Sequence, residues 1–196
     1  MGMTYEGIDE ALGTWMGDQH VYFVATAPLD PSGHINLSPK GGPGTFQVLE
    51  PGRVAYLDIT GSGAETIAHL RENGRIVITF CAFDGRPRIV RLHGRGRVHQ
   101  LGDRAFDELI PAFAKAEVHQ ASVRSIIEIE VSRIADSCGY SVPLMSFEGL
   151  RPHADLWVEK RLDQHGPEGV LDYIRAKNVT SLDGLPAVDP DRLSRP

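Results

Sequence analysis

RVAYLDITGSGAETIAHLRENGRIVITFCAF, residues 53–83, places a β-rich run, a junction of glycines and hydroxyls, a helical stretch and a second β-rich run in direct succession. RVAYLDI (53–59) and RIVITFCAF (75–83) read as strands because β-branched and aromatic side chains pack well on a pleated, half-buried surface. Between them AETIAHLRE (64–72) carries apolar residues at helical spacing. Repetition of such β-α-β units would make a doubly wound parallel sheet, but this is the only one in the chain.

On either side the spacing is that of hairpins. HVYFVATA (20–27) and HINLS (34–38) flank the turn signal DPSG, and RIVRLHGRGRVH (88–99) and SIIEIEVSRI (125–134) follow the central unit. Further helical spacing occurs at 103–116, 155–161 and 167–178. The order β-β-β-α-β-β-α-β predicts a mainly β, α+β protein built on a six-stranded antiparallel barrel. The barrel domain takes residues 1–159, ending in a Gly/Pro/Ser-rich arm at 135–155. Residues 160–196 read as a C-terminal helical extension with a frayed end, not as a separate domain.

Composition narrows the class. With 196 residues, 41% hydrophobic and 23% charged, the chain is of ordinary globular type, which excludes disordered and fibrous proteins. It has no apolar run of membrane-spanning length and no signal-peptide pattern, so the cytoplasm is the expected compartment. Cys81 and Cys138 lack metal or redox spacing and are expected to be reduced and unpaired. A net charge of −6 disfavours nucleic acid as a partner.

Three segments could hold an anion. On strand 88–99, Arg91, His93, Arg95, Arg97 and His99 alternate with apolar or glycine positions, which gives one cationic face. Arg95 and Arg97 are expected to pair with Glu128 and Glu130 across the sheet, whereas Arg88 and Arg91 near the strand start suit a phosphate. Gly94 and Gly96 within the strand mark a bulge or a close backbone approach. TGSGAET (60–66) joins a strand to a helix, where free amides and the helix dipole favour an anion, with Thr60, Ser62 and Thr66 as hydroxyl donors. Ser62 and Glu65 also have capping-box spacing, which would satisfy the same amides internally, and the Glu65 carboxylate would repel a dianion. The GxGxxG pattern is incomplete because Thr66 replaces its third glycine. Lys40, after a strand and before a glycine-rich loop, is a third cation within reach of a phosphate. Nucleophile elbows, metal-ligand spacings and an activated cysteine are missing, so the difficult chemistry of an enzyme here would fall to a cofactor.

ATAPLDPSGHINLSPKGG, VAYLDITGSGAETIAHLRENGRIVITF and RPRIVRLHGRGRV together resemble the pyridoxamine 5′-phosphate oxidase-like family of FMN-binding split β-barrels. The SPKG, CGYSVP and SLDGLP segments are similar to an uncharacterised bacterial branch of it. The resemblance implies a homodimer with two FMN sites at the subunit interface. Asn36, Leu37 and Ser38 would line the flavin, and Lys40 and Thr60 would fall at phosphate and hydroxyl positions. Departures are clear: the family's oxidases carry cations where Ile35, Glu65 and Thr66 stand here, and their tryptophan- and arginine-rich end is missing. Phosphate binding would therefore shift towards Ser62, Thr66, Lys40 and Arg88 or Arg91, with pyridoxamine phosphate a doubtful substrate. The resemblance implies an FMN-dependent oxidoreductase that exchanges a hydride or electrons with a small substrate or nicotinamide donor. A deazaflavin-dependent reductase and a non-catalytic flavin-sequestering module are the alternatives.

Overall fold

The computed structural model describes residues 2–194. Eight strands form one sheet: β1 (Thr4–Tyr5), β2 (Val21–Thr26), β3 (Asn36–Gly41), β4 (Phe46–Glu50), β5 (Arg53–Ile59), β6 (Arg75–Cys81), β7 (Ile89–Gln100) and β8 (Val123–Ser137). Their order is β3-β2-β6-β7-β8-β5-β4, with β1 against β8. Every ladder is antiparallel. The β-α-β stretch makes no parallel pair, because α2 (Glu65–Asn73) carries the chain from β5 to a β6 that is not its neighbour.

The sheet curls into a split half-barrel around its inner face. Phe46 on the edge strand β4 stands 5.6 Å from the Tyr22 ring and 5.0 Å from Phe80, so β4 closes onto β2 and β6 from the far side. Val24, Tyr56, Ile78, Leu92, Ile127 and Ile129 fill the interior. One end is stoppered by α1 (Glu10–Gly17), which inserts Leu12 and Met16 and is capped by Asp9, whose Oδ1 accepts the Leu12 N–H at 2.8 Å.

A second core lies on the outer face. Ala55, Leu57 and Ile126 of the sheet meet Ile67 of α2, Phe106 of α3 (Arg104–Leu109), Val158 of α4 (His153–His165), and Val170, Leu171 and Ile174 of α5 (Gly169–Lys177). The C-terminal extension therefore supplies core side chains. Its last two residues, where fraying is expected, lie outside the described residues.

The sequence reading of six strands is short by two. The two-residue β1 and FQVLE at β4 are too short, and β4 too unpatterned, to stand out from the flanking loops. The helix α1 was also unread, its two glycines weakening the helical signal. On β7 the expectations for the glycines and for Arg97 hold, whereas Arg95 pairs with neither acid and instead donates to the Asn73 carbonyl at 3.0 Å. His93 pairs with Arg133 and Gly94 with Val131, leaving Ser132 as a bulge on β8. A methyl group at Gly94 would lie 2.2 Å from the Glu130 carbonyl oxygen, and one at Gly96 would lie 2.9 Å from Leu70 of α2. Arg97 pairs with Glu130 at 3.1 Å and His99 with Glu128 at 2.8 Å, so the last two positions of the cationic face meet acids across the sheet.

Candidate functional site

At one end of the half-barrel the inner face turns from apolar to charged. Asp58 shares the inward parity of Val54 and Tyr56 on β5 and is fully buried. Its Oδ1 accepts from Lys40 Nζ of β3 at 3.1 Å, and its Oδ2 from Arg124 Nε of β8 at 2.7 Å and from Ser125 Oγ at 3.0 Å. Burial alone would raise the Asp58 pKa, but Arg124 and Lys40 outweigh it and hold the carboxyl well below the usual carboxylate range. Two cations share one anion, which leaves the cluster one surplus positive charge. Arg124 also donates to the Gly63 carbonyl at 2.8 Å, tying that charge to the 60–66 junction.

The residues expected to line a flavin come together around Asn36. Its Nδ2 donates to Thr66 Oγ1 at 2.9 Å and Thr26 Oγ1 at 3.2 Å, and its Oδ1 accepts from Ser38 Oγ at 2.9 Å. Thr26 Oγ1 lies 2.9 Å from Nδ1 of the buried His69, whose Nε2 has no partner. Burial lowers the His69 pKa, which keeps the ring neutral. Leu37 points the other way and is 65% exposed. β3 is an edge of the sheet, so its outward backbone groups are unpaired.

The 60–66 junction leaves the start of its helix without a side-chain cap. α2 begins from Ala64, and the Ser62–Glu65 capping box does not form. Its first amides have no intrahelical acceptor. Thr60 Oγ1 donates to the Ser122 carbonyl at 2.7 Å, whereas the Ser62 hydroxyl makes no hydrogen bond among the described residues.

Arg88 and Arg91 lie elsewhere. Lys40 is registered with Tyr22, Tyr22 with Phe80, and Phe80 with Val90, all along the inner face; Arg91, next to Val90, therefore projects from the outer face. There its guanidinium donates to Ser137 Oγ at 3.1 Å. Arg88 lies 4.8 Å over the Trp15 ring, donates to Tyr5 Oη at 2.8 Å and pairs with Asp136 at 3.5 Å, in the wall of a cavity of about 760 Å³ that also includes Arg86 and Tyr140. Within one chain neither arginine meets Lys40.

Sequence reasoning missed Asp58 and Arg124. Asp58 carried a usable signal: an acid at the inward parity of an apolar strand requires a cation. Arg124 carried none, since it falls just before the run read as a strand. Among the described residues no group of acidic, histidine or cysteine side chains could hold a metal ion, and no helix is long and apolar enough to cross a membrane.

Fold and site define an antiparallel split half-barrel with a cationic cluster at its mouth, beside an uncapped helix start. The Pyridoxamine 5′-phosphate oxidase profile matches residues 8–138, and the chain belongs to that family. It is 37% identical over 198 residues to the pyridoxamine 5′-phosphate oxidase family protein ustO of Aspergillus flavus, covering 96% of this chain and 78% of that protein. Among solved structures, an FMN-binding protein from Syntrophomonas wolfei subsp. wolfei is similar over 66% of this chain and 81% of its own, at 11% identity and a TM-score of 0.46. A conserved protein of unknown function from Corynebacterium diphtheriae is similar over 70% and 98%, at 13% identity and a TM-score of 0.48.

Proposed function

We propose that the protein binds FMN at the barrel mouth and acts as an FMN-dependent oxidoreductase on a small substrate, as a cytoplasmic homodimer. The observation that carries this reading is the surplus positive charge of Lys40, Asp58 and Arg124, set beside the uncapped start of α2 in a chain of this family. The donor set fits a phosphate: first-turn amides, the free Ser62 hydroxyl and a cation surplus. Beside it, the unpaired edge of β3 offers ladder-type donors and acceptors to a flat heterocycle, and Asn36 and Ser38 are held in place by the Thr26–His69 network. The flavin would supply hydride or electron exchange, and the chain's residues supply binding and orientation.

Two copies are needed if Lys40 and Arg91 are to serve one phosphate, since a single chain places them on opposite faces of its sheet. The outer face bearing Arg91 also carries Phe23, Ala25 and Val77 from neighbouring strands, an apolar surface suited to a second copy.

The absorption spectrum of the purified protein, followed by titration with FMN and riboflavin, tests the reading. Saturable FMN binding at one per chain, a dimeric mass and reduction of the bound flavin by a nicotinamide donor are expected. A deazaflavin spectrum would replace FMN as cofactor, and tight FMN binding without turnover would leave a sequestering module. Binding of no flavin would overturn the reading.

A further inference from the structure

Glu65 opens α2 two residues after Gly63, and its carboxylate folds back over that glycine. A methyl group on Gly63 would stand 2.3 Å from Glu65 Oε2, so the carboxylate fills the space a side chain there would need. The other oxygen, Oε1, accepts the backbone N–H of Leu182 at 3.3 Å. Leu182 belongs to a C-terminal loop that is itself pinned to the site. Asn178, fully buried, donates through Nδ2 to the Gly61 carbonyl at 2.9 Å, and its Oδ1 has no partner. Asp183 accepts from the His34 amide at 2.8 Å and lies 2.6 Å from its Nδ1, which ties the loop to the β2–β3 connection. A bridge between Thr180 and Pro186 closes the loop.

Glu65 forms no ion pair among the described residues. A carboxylate in this place needs none, because the positive end of a helix stabilises an anion in its first turn. That is the same stabilisation an incoming phosphate would use. We infer that Glu65 is an internal anion in the phosphate seat, held there by the C-terminal loop, and that a phosphorylated ligand binds only by displacing it. Glu65 is thus the specificity-determining residue that sets how strongly the site prefers FMN over riboflavin. The inference rests on the flavin-nucleotide reading above.

The test is the ratio of FMN to riboflavin affinity in wild type, Glu65→Gln and Glu65→Ala, with thermal melts to confirm folding. A dianion about 5 Å from a carboxylate is opposed by more than a factor of ten even in bulk water, so both variants should bind FMN at least about tenfold more tightly. Riboflavin affinity should stay level. A wild type that binds riboflavin alone, with FMN binding gained on substitution, would uphold the inference and overturn FMN as the wild-type cofactor. An unchanged or lowered ratio would overturn it and leave Glu65 as a helix-start residue, while the flavin reading would stand. Failure of wild type and both variants to bind either flavin would remove both.

Discussion

Lys40 and Asp58 meet at 3.1 Å between β3, one edge of the sheet, and β5, which lies beside the other edge. The backbone leaves the barrel split, and this ion pair spans its mouth. With Asp58 fully buried and Arg124 only 4% exposed, the carboxylate that fixes the two cations also cancels half of their charge.

Asp58→Ala should therefore destabilise strongly. It leaves two cations with no counter-charge in a buried setting, and loss of one partner from such a cluster costs about 3–5 kcal/mol. Lys40→Met should cost less, since Arg124 and Ser125 still satisfy Asp58. Urea unfolding at neutral pH measures both. Because the folded-state pKa of Asp58 is depressed, its contribution is present above the unfolded value of about 4 and is lost as pH falls below it. Wild-type stability should drop on acidification, and that part of the drop should vanish in Asp58→Asn.

His69 adds a second pH dependence at higher pH. Burial lowers its pKa, so the folded chain binds fewer protons than the unfolded one below about pH 6.5. Its contribution is present above that pH and is lost as pH falls, with a slope of up to about 1.4 kcal/mol per pH unit for one proton. His69→Gln should flatten the stability profile between about pH 6.5 and 5, which denaturation across that range would show. An unchanged slope would mean that the imidazole reaches solvent.

Much of this was legible from residue type and parity. Strand alternation placed Arg97 opposite its acids, and the glycines of β7 announced the close approach of β8 and α2. Asn36, Leu37 and Ser38 of β3 are legible only through the family resemblance, and Lys40 through its place after a strand and before a glycine-rich loop. What stayed hidden depends on contacts between distant segments. Nothing local tells that Arg124 reaches Asp58, that Leu182 reaches Glu65, or that Arg91 stands on the face opposite Lys40. The missed β4 is held by its pairing with β5 and by Phe46 packing, not by its own pattern.

The C-terminal extension should behave as part of the core. Leu171 is 1% exposed and packs beside Val170 and Ile174 against the outer face of the sheet. Leu171→Ala should cost about 2–5 kcal/mol, the range for a buried leucine truncation. Removal of residues 160–196 should prevent soluble folding, since it uncovers that whole face. A truncated chain with native-like denaturant stability would show that the extension is dispensable.

The cysteines should differ in reactivity and matter little to binding. Cys81 is half-buried on β6, where burial raises its pKa, whereas Cys138 is exposed. A thiol reagent should titrate one cysteine per native chain quickly and the second only slowly. Replacing both by serine should leave FMN affinity nearly unchanged. A large loss on Cys138→Ser alone would instead place that thiol beside the bound ligand.

The phosphate assignment is tested most sharply by comparing Lys40→Met and Arg91→Met. Lys40→Met removes the surplus charge at the mouth, leaving Arg124 and Asp58 balanced. A lost charge-assisted contact costs about 1.5–3 kcal/mol, so FMN should bind about 10- to 150-fold more weakly. Riboflavin has the same ring without the phosphate and should be nearly insensitive. Arg91→Met should show the same selective loss only if the site is shared, because within one chain the sheet separates Arg91 from Lys40. Selective loss in both variants, with a dimeric mass, would therefore establish that two copies build each site. Loss in Lys40→Met alone would confine the phosphate to the mouth of one chain and return Arg91 to its contact with Ser137. Equal weakening of both ligands would mean that the residue acts on the ring or on folding. No effect from either would leave the start of α2, with Ser62, as the phosphate cradle.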